Sequence, residues 1–215
     1  MSDLPESEYM PSDTLVPSTP EGYQEPSQFE YSMVYLTLGS LVLFPIATLL
    51  FGSVLWILQG PAVFESLVNV TETGPILTFV FDWPLIVGVT ILALGVTVVV
   101  HEFIHGVVFA RYGYRVSYGA MPHIGAFYAT PFHQFVARDH VFPVALAPLV
   151  VISLVGLPLL AVPVPVVAFF VFQLLVINAM GAAGDLYIVV VLHRKPAGTL
   201  LYDSDIRHSY MFEPR

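Results

Sequence analysis

Four apolar runs, each long enough to cross a hydrocarbon core, constrain this chain more than any other feature. Only 11% of its 215 residues are charged and 56% are hydrophobic, so too few polar side chains are present to cover a soluble domain of this size. The composition therefore predicts a multi-pass membrane protein. The four runs span residues 33–58, 84–110, 141–162 and 164–192.

The breaks between the runs predict an all-α fold of four transmembrane helices. Asp82-Trp83-Pro84 marks the entry to the second run, and Pro163 and Pro165 mark a tight turn between the last two. The connection 111–140 is polar and aromatic, with β-forming stretches at Arg115–Tyr118 and Ala126–Thr130. We expect a short re-entrant or β-like cytosolic loop there, although an ordinary cytosolic loop fits equally well.

The positive charges predict the orientation of the helices. With four spans, every lysine and arginine falls on one side of the membrane, together with both termini and the 111–140 connection, and the other side has none. Because cytosolic loops carry the excess of Lys and Arg, both termini are predicted in the cytosol at the cell membrane. The residues are Arg111, Arg115, Arg138, Arg194, Lys195, Arg207 and Arg215.

The two ends differ in composition from the apolar centre. Residues 1–32 hold seven acidic residues, five prolines and no Lys or Arg, which predicts a disordered acidic cytosolic tail. We predict a four-helix membrane domain over 33–195 and a cytosolic tail over 196–215. The net charge of −9 favours a halophilic, archaeal source and no nucleic-acid partner.

A His-Glu-x-x-His motif lies inside the second run. His101 and His105 are four residues apart, so they lie about 40° apart on one helix face and about 6 Å apart along the axis. Two imidazoles at that spacing can bind one Zn²⁺, and Glu102 lies close enough to act on a zinc-bound water. The chain has no cysteine, so His, Asp and Glu must supply the ligands. The alternative is a polar patch satisfied by neighbouring helices.

A third ligand is expected, because catalytic zinc usually has three protein ligands and one water. Asp185 lies about eight residues before the cytosolic end of its run, a depth that matches those of His101 and His105 at 1.5 Å per residue. A structural helix–helix contact is the other interpretation of Asp185. His133 is the reserve ligand, although it, His123 and His140 are more typical of surface histidines.

Asn178 lies on the same helical stripe as Gly181 and Asp185, about 10 Å deeper in the membrane than the aspartate. Its amide could bind a substrate backbone or stabilise an oxyanion. A plain interhelical hydrogen bond is an equal alternative, since polar side chains commonly bond across such contacts.

The HEFIH motif and the later pattern Asn178-x-x-Gly181-x-x-Gly184-Asp185-Leu186 resemble the prokaryotic membrane family known as putative zincin peptidases. The layout is also similar to the site-2 intramembrane metalloproteases. Leu186 stands where a site-2 protease has glycine, so the zincin family fits better. The resemblance implies that His101, His105 and Asp185 bind zinc and that Glu102 is the general base.

The sequence therefore predicts a zinc metalloprotease that hydrolyses peptide bonds of membrane protein substrates within or near the bilayer. The lipid bilayer and a membrane protein or peptide are the expected partners. Two alternatives remain: a non-proteolytic membrane zinc hydrolase, and a non-enzymatic membrane protein with a structural metal site. Glu102 separates them, because a structural site has no need of a carboxylate placed as a base.

Overall fold

The computed structural model describes residues 16–121 and 126–215. Four helical segments are long and apolar enough to cross a membrane, which confirms the four predicted runs and indicates a multi-pass membrane protein. Large apolar side chains such as Leu49, Ile57 and Leu154 are exposed on their surfaces, as lipid-facing residues would be. The segments are Met33–Gln59, Trp83–Arg111, Arg138–Leu159 and Pro165–His193.

The described residues form six helices and eight strands. Most strands are short and lie between or beyond the long helices. In chain order, the elements are β1 (Ser27–Phe29), α1 (Met33–Gln59), α2 (Ala62–Glu65), β2 (Val68–Thr73), β3 (Ile76–Phe81), α3 (Trp83–Arg111), β4 (Ser117–Met121), β5 (Ala126–Thr130), β6 (Phe135–Ala137), α4 (Arg138–Leu159), α5 (Pro165–Gly181), α6 (Ala183–His193), β7 (Leu200–Asp203) and β8 (Ser209–Phe212).

Helix α3 begins where the sequence predicted. The Asp82 carboxylate caps it by accepting the backbone N–H of Leu85 at 3.1 Å, and Pro84 occupies the first turn, where its missing N–H costs nothing. Beyond Pro84 the helix contains no proline through Arg111. An unbroken helix therefore carries the His-Glu-x-x-His motif.

The fourth apolar segment is divided at Ala182, where ψ of 0° ends α5 before α6 begins. The Ser40 hydroxyl of α1 donates to the Met180 carbonyl at 3.1 Å, so this carbonyl is satisfied inside the apolar region. Gly39 makes room for α1 to approach Ala183 closely. The break places Asp185 in the first turn of a new helix, where the helix dipole favours a carboxylate.

The fold is mostly helical, as predicted, but it is not all-α, because 19% of the residues lie in strands. A four-stranded antiparallel sheet has the order β1-β8-β7-β6, with Ser27 opposite Met211 and Phe135 opposite Tyr202. Strands of three or four residues carry little local signal, and their pairing depends on partners far away in the sequence.

The sheet also changes the description of the two predicted tails. Residues 27–29 and 200–212, which we assigned to tails, contribute three of its four strands, while residues 1–15 of the acidic tail lie outside the described residues. Because β6 belongs to the 111–140 connection, the sheet gathers this connection, residues 27–29 and residues 200–212 at one end of the helices. Which face of the membrane this end occupies stays a prediction.

Reporter fusions test that orientation. A reporter fused after Arg215 or inserted within 111–140 should read as cytosolic, and one inserted at 66–72 should read as external. The reason is that all Lys and Arg lie on the same side of the four spans as Arg215 and the 111–140 connection. Paired phosphatase and fluorescent-protein reporters at each site provide reciprocal signals. An external signal after Arg215 would contradict the predicted orientation.

Strands β4 and β5 form a two-stranded hairpin against α3, within the segment where we expected one or two short strands. The approach is close at Gly106, where a Cβ atom would overlap the side chain of Tyr118. Glycine directly after His105 therefore lets the hairpin lie beside the motif. Re-entry of this connection into the membrane stays a prediction.

Candidate metal centre

Helix α3 presents the three motif side chains together. Ligand atoms of His101, Glu102 and His105 all lie within 4.8 Å of one another, and the two imidazole rings meet edge to face with centroids 4.8 Å apart. Both histidines are buried. The predicted i, i+4 pair therefore forms one compact cluster.

Helix α6 brings Asp185 to the same point. One carboxylate oxygen, Oδ2, lies 3.1 Å from His101 Nε2, and the other, Oδ1, lies 3.3 Å from His105 Nε2. The structure thus unites the three residues that we predicted as ligands, although Asp185 lies 80 residues after His105 and 84 after His101 in the sequence. Their role as ligands is taken up below as a proposal.

Nδ1 of each imidazole, the ring nitrogen that does not face Asp185, has a hydrogen-bond partner of its own. His101 Nδ1 lies 3.0 Å from Asn178 Oδ1, and His105 Nδ1 lies 2.9 Å from the Val144 carbonyl oxygen. Both partners are acceptors, so each Nδ1 must carry the proton. In the neutral imidazoles, both Nε2 lone pairs then point toward the Asp185 carboxylate.

A proline explains why the Val144 carbonyl is available. In an α-helix this oxygen would accept the N–H of the residue four positions later, but that residue in α4 is Pro148, which has no N–H. The freed carbonyl turns to His105 instead. A helix defect thereby fixes the tautomer of a candidate metal ligand, as backbone carbonyls do in the outer shells of zinc sites.

The arrangement fits a divalent cation. Two imidazole lone pairs and a carboxylate are all electron donors, so their convergence is repulsive without a cation or protons between them. Asp185 Oδ2 is buried and, among the described residues, has no hydrogen-bond partner of acceptable geometry, despite its proximity to His101. Ligands of tetrahedral zinc at about 2.0–2.1 Å stand about 3.3 Å apart, close to the separations of 3.1 and 3.3 Å.

Glu102 lies beside these three residues at the wall of a cavity of about 560 Å³. It is only partly buried, and the backbone of Ala129 on β5 hydrogen-bonds to its carboxylate. The cavity also contacts His101, His105 and Asp185. Glu102 is therefore accessible from a space large enough for a peptide segment, next to the candidate ligands.

Asn178 is completely buried. Its Oδ1 atom faces His101, and its Nδ2 atom donates to the Pro148 carbonyl at 3.4 Å. Both ends of the amide thus contact protein atoms, as in the interhelical hydrogen bond that the sequence left as an alternative. The predicted contact with substrate is not tested by this geometry.

His133 and His140 lie away from the candidate ligands. The reserve ligand His133 donates its backbone N–H to the Asp203 carbonyl and does not line the cavity. His140 stacks on Tyr112 and bonds the Tyr114 hydroxyl at 2.8 Å. His123 lies outside the described residues.

Sequence reasoning missed the cavity wall formed by the strands. Phe29, Tyr31 and Asp203 line the cavity, although no local motif marks them. Tyr31 is 45% exposed as a whole residue, but its hydroxyl group is desolvated by burial. This burial is the largest cause that raises the pKa of Tyr31 well above its usual range, and the nearby carboxylates of Asp203 and Asp185 raise it further. The phenol therefore stays protonated near neutral pH.

Asp203 shares this environment. Burial raises the pKa of its carboxyl, and the hydrogen bond from the Ser209 hydroxyl at 2.6 Å offsets part of that effect. Both wall residues therefore favour their neutral forms more than exposed counterparts would.

The fold and the site together define a class: a multi-pass membrane protein with a His-Glu-x-x-His cluster facing a cavity. Residues 94–200 match the model of a family described as "Putative zincin peptidase". The chain belongs to this family, and the matched segment contains His101, Glu102, His105 and Asp185. No curated protein and no solved structure matches the chain significantly.

Proposed function

We propose that the protein is a zinc-dependent, membrane-embedded peptidase that hydrolyses peptide bonds of membrane protein substrates within or near the bilayer. One observation carries the proposal: two imidazole lone pairs converge on a carboxylate, and a further carboxylate, Glu102, lies beside them at a cavity. His101, His105 and Asp185 would hold the ion. A site with only a structural role would not need Glu102 there.

The chemistry that zinc supplies when bound is polarisation of the scissile carbonyl and a lower pKa for water. Glu102 accepts the proton of the attacking water as the C–O bond forms. It then donates this proton to the leaving amine as the C–N bond breaks. Its partly exposed position at the cavity wall gives the carboxylate access to both water and substrate.

Strand β5 offers a means of holding the peptide. Within residues 16–121 and 126–215 it pairs only with β4, on one edge, and Phe127 to Thr130 line the cavity. An extended peptide that added to the free edge would run past Glu102, which bonds the backbone of Ala129. A substrate helix would have to unwind first, since only an extended backbone can pair with a strand.

Asn178 and Val144 act as positioning groups in this proposal, because each accepts a hydrogen bond from the Nδ1–H of one ligand imidazole. Asn178→Ala removes the acceptor for His101 and should lower zinc affinity about 10–100-fold, the usual effect of losing an outer-shell partner. Zinc affinity should be measured by competition with a chelator of known strength.

Gln173→Ala is the matched control for Asn178→Ala. It also removes an interhelical amide hydrogen bond from α5, in this case to the Thr90 hydroxyl at 2.8 Å, but makes no contact with a candidate ligand. Its zinc affinity should equal that of the parent. Equal affinity in Asn178→Ala and the parent would exclude the positioning role.

The proposal predicts a specific change in the membrane proteome. Cells that produce the parent should lack the full-length form of at least one membrane protein that accumulates in cells producing Glu102→Gln at equal level. The new terminus should map within or beside a transmembrane segment. If lipids change and proteins do not, the site is a non-proteolytic hydrolase; if neither changes, the structural metal site is favoured.

A further inference from the structure

The β2–β3 hairpin, residues 68–81, has two faces of different chemistry. Its register places Val70 opposite Phe79 and Thr71 opposite Thr78, and side chains alternate between faces along each strand. The face that we call the apolar face holds Val68, Val70, Leu77, Phe79 and Phe81, with Glu72 next to the turn. The polar face holds Asn69, Thr71, Thr73 and Thr78, together with Ile76 and Val80.

Beyond Val68, which packs against the helical core, the apolar face is uncovered by the described part of the chain. Val70, Leu77 and Phe79 are each 57% exposed, and no third strand pairs with β2 or β3 among the described residues. An isolated two-stranded hairpin is at best marginally stable in water, and contiguous exposed apolar residues usually mark a contact surface. Something other than water is expected to cover this face.

The hairpin lies next to the helix ends at which we expect the membrane–water interface. Phe81 contacts Trp83, the first residue of α3, with ring centroids 5.4 Å apart. Trp56, near the end of α1, contacts Phe64 at 5.7 Å. These are the only two tryptophans in the chain, and both are more than half exposed. Tryptophan concentrates at membrane–water interfaces, so the apolar face continues the lipid-facing surface of the helices.

The hairpin is separate from the candidate metal centre. Trp83 and His101 are 18 residues apart on α3, which is about 27 Å along the helix. None of the residues 68–81 lines the cavity. The apolar face is therefore not a wall of the proposed substrate site.

We propose that the β2–β3 hairpin lies in the plane of the membrane interface, with its apolar face toward the acyl chains and its polar face toward water. Its unpaired strand edges require water or headgroups, which excludes a position deep in the hydrocarbon. Residues 59–83 contain no Lys or Arg, so attraction to anionic headgroups has no part. Contact with apolar lipid supplies the attraction.

The absence of cysteine allows a clean test by site-specific labelling. Phe79→Cys and Thr78→Cys place one thiol on each face at adjacent positions, and both sites are exposed enough to tolerate the change. Each variant of the full chain is labelled with the environment-sensitive fluorophore NBD. It is then reconstituted in phosphatidylcholine vesicles with either ordinary or dibrominated acyl chains.

The label at position 79 should emit at shorter wavelength and lose most of its intensity in brominated vesicles. The label at position 78 should be quenched by aqueous iodide instead. Leu77→Cys and Thr71→Cys should repeat the contrast. Equal iodide quenching on both faces would overturn the proposal. Protection at position 79 that disappears on diluting the protein in lipid would also overturn it, by assigning the face to a second copy of the chain.

Discussion

Glu102→Gln should abolish most hydrolysis while leaving zinc binding intact. Glutamine keeps the size and shape of the side chain but cannot accept the proton of the attacking water. Cleavage of a membrane protein substrate should fall by about 10²–10⁴-fold, the contribution of a positioned general base. Zinc content and cleavage rate should be measured on the same detergent-purified preparation, so that a loss of metal is not mistaken for a loss of the base.

Glu65→Gln is the matched control. It makes the same chemical change on α2, at a residue that does not line the cavity, and it should cleave at the parental rate. Glu102→Gln should also retain uncleaved substrate, since binding does not require the base. Parental activity in Glu102→Gln would exclude the proposed mechanism. A simultaneous loss of zinc and helix content would instead assign Glu102 a structural role.

The second large effect that we expect is loss of zinc when any one of the three candidate ligands is removed. The purified protein should hold about one zinc per chain, as a three-ligand catalytic site does. His101→Ala, His105→Ala and Asp185→Ala should each lose zinc during dialysis against a chelator that leaves the parent loaded. Each loss should exceed the roughly 10–100-fold expected for an outer-shell partner. Elemental analysis after gel filtration measures the ratio.

His140→Ala controls for removal of a histidine outside the cluster, since His140 contacts Tyr112 and Tyr114 instead. It should keep its zinc. His133→Ala tests the reserve ligand and should also keep it. Full zinc in Asp185→Ala would remove Asp185 from the ligand set, and loss of zinc in His133→Ala would bring His133 into it.

Features set by local sequence could be predicted. The four apolar runs follow from composition over windows of about 20 residues, and Asp82-Trp83-Pro84 marks the start of α3 by ordinary capping chemistry. The pairing of His101 with His105 follows from helical periodicity alone. The proximity of Asp185 required one further step, a comparison of depth along two helices, and the structure brings it within 3.3 Å of both rings.

Features set by distant contacts could not be predicted. Residues 27–29 have no strand signal of their own, and they form β1 because β8 provides a partner. Val144 gave no sign of contacting His105, although Pro148 could have indicated a free carbonyl four residues earlier. Tyr31 lies at the cavity because β1, which ends two residues earlier, pairs with β8. In each case the missing information was which element lies opposite, a tertiary property.

The pairing of β1 with β8 also fixes when the cavity can close during synthesis. Ser27 and Met211 are 184 residues apart, an interval of about 10–40 s at ordinary translation rates. All three candidate ligands and Glu102 leave the ribosome before β8 does. Phe29 and Tyr31 cannot take their places until β8 is available. A nascent chain can thus bring its candidate ligands together while one wall of the cavity is still missing, and this wall forms only after β8 has been synthesised.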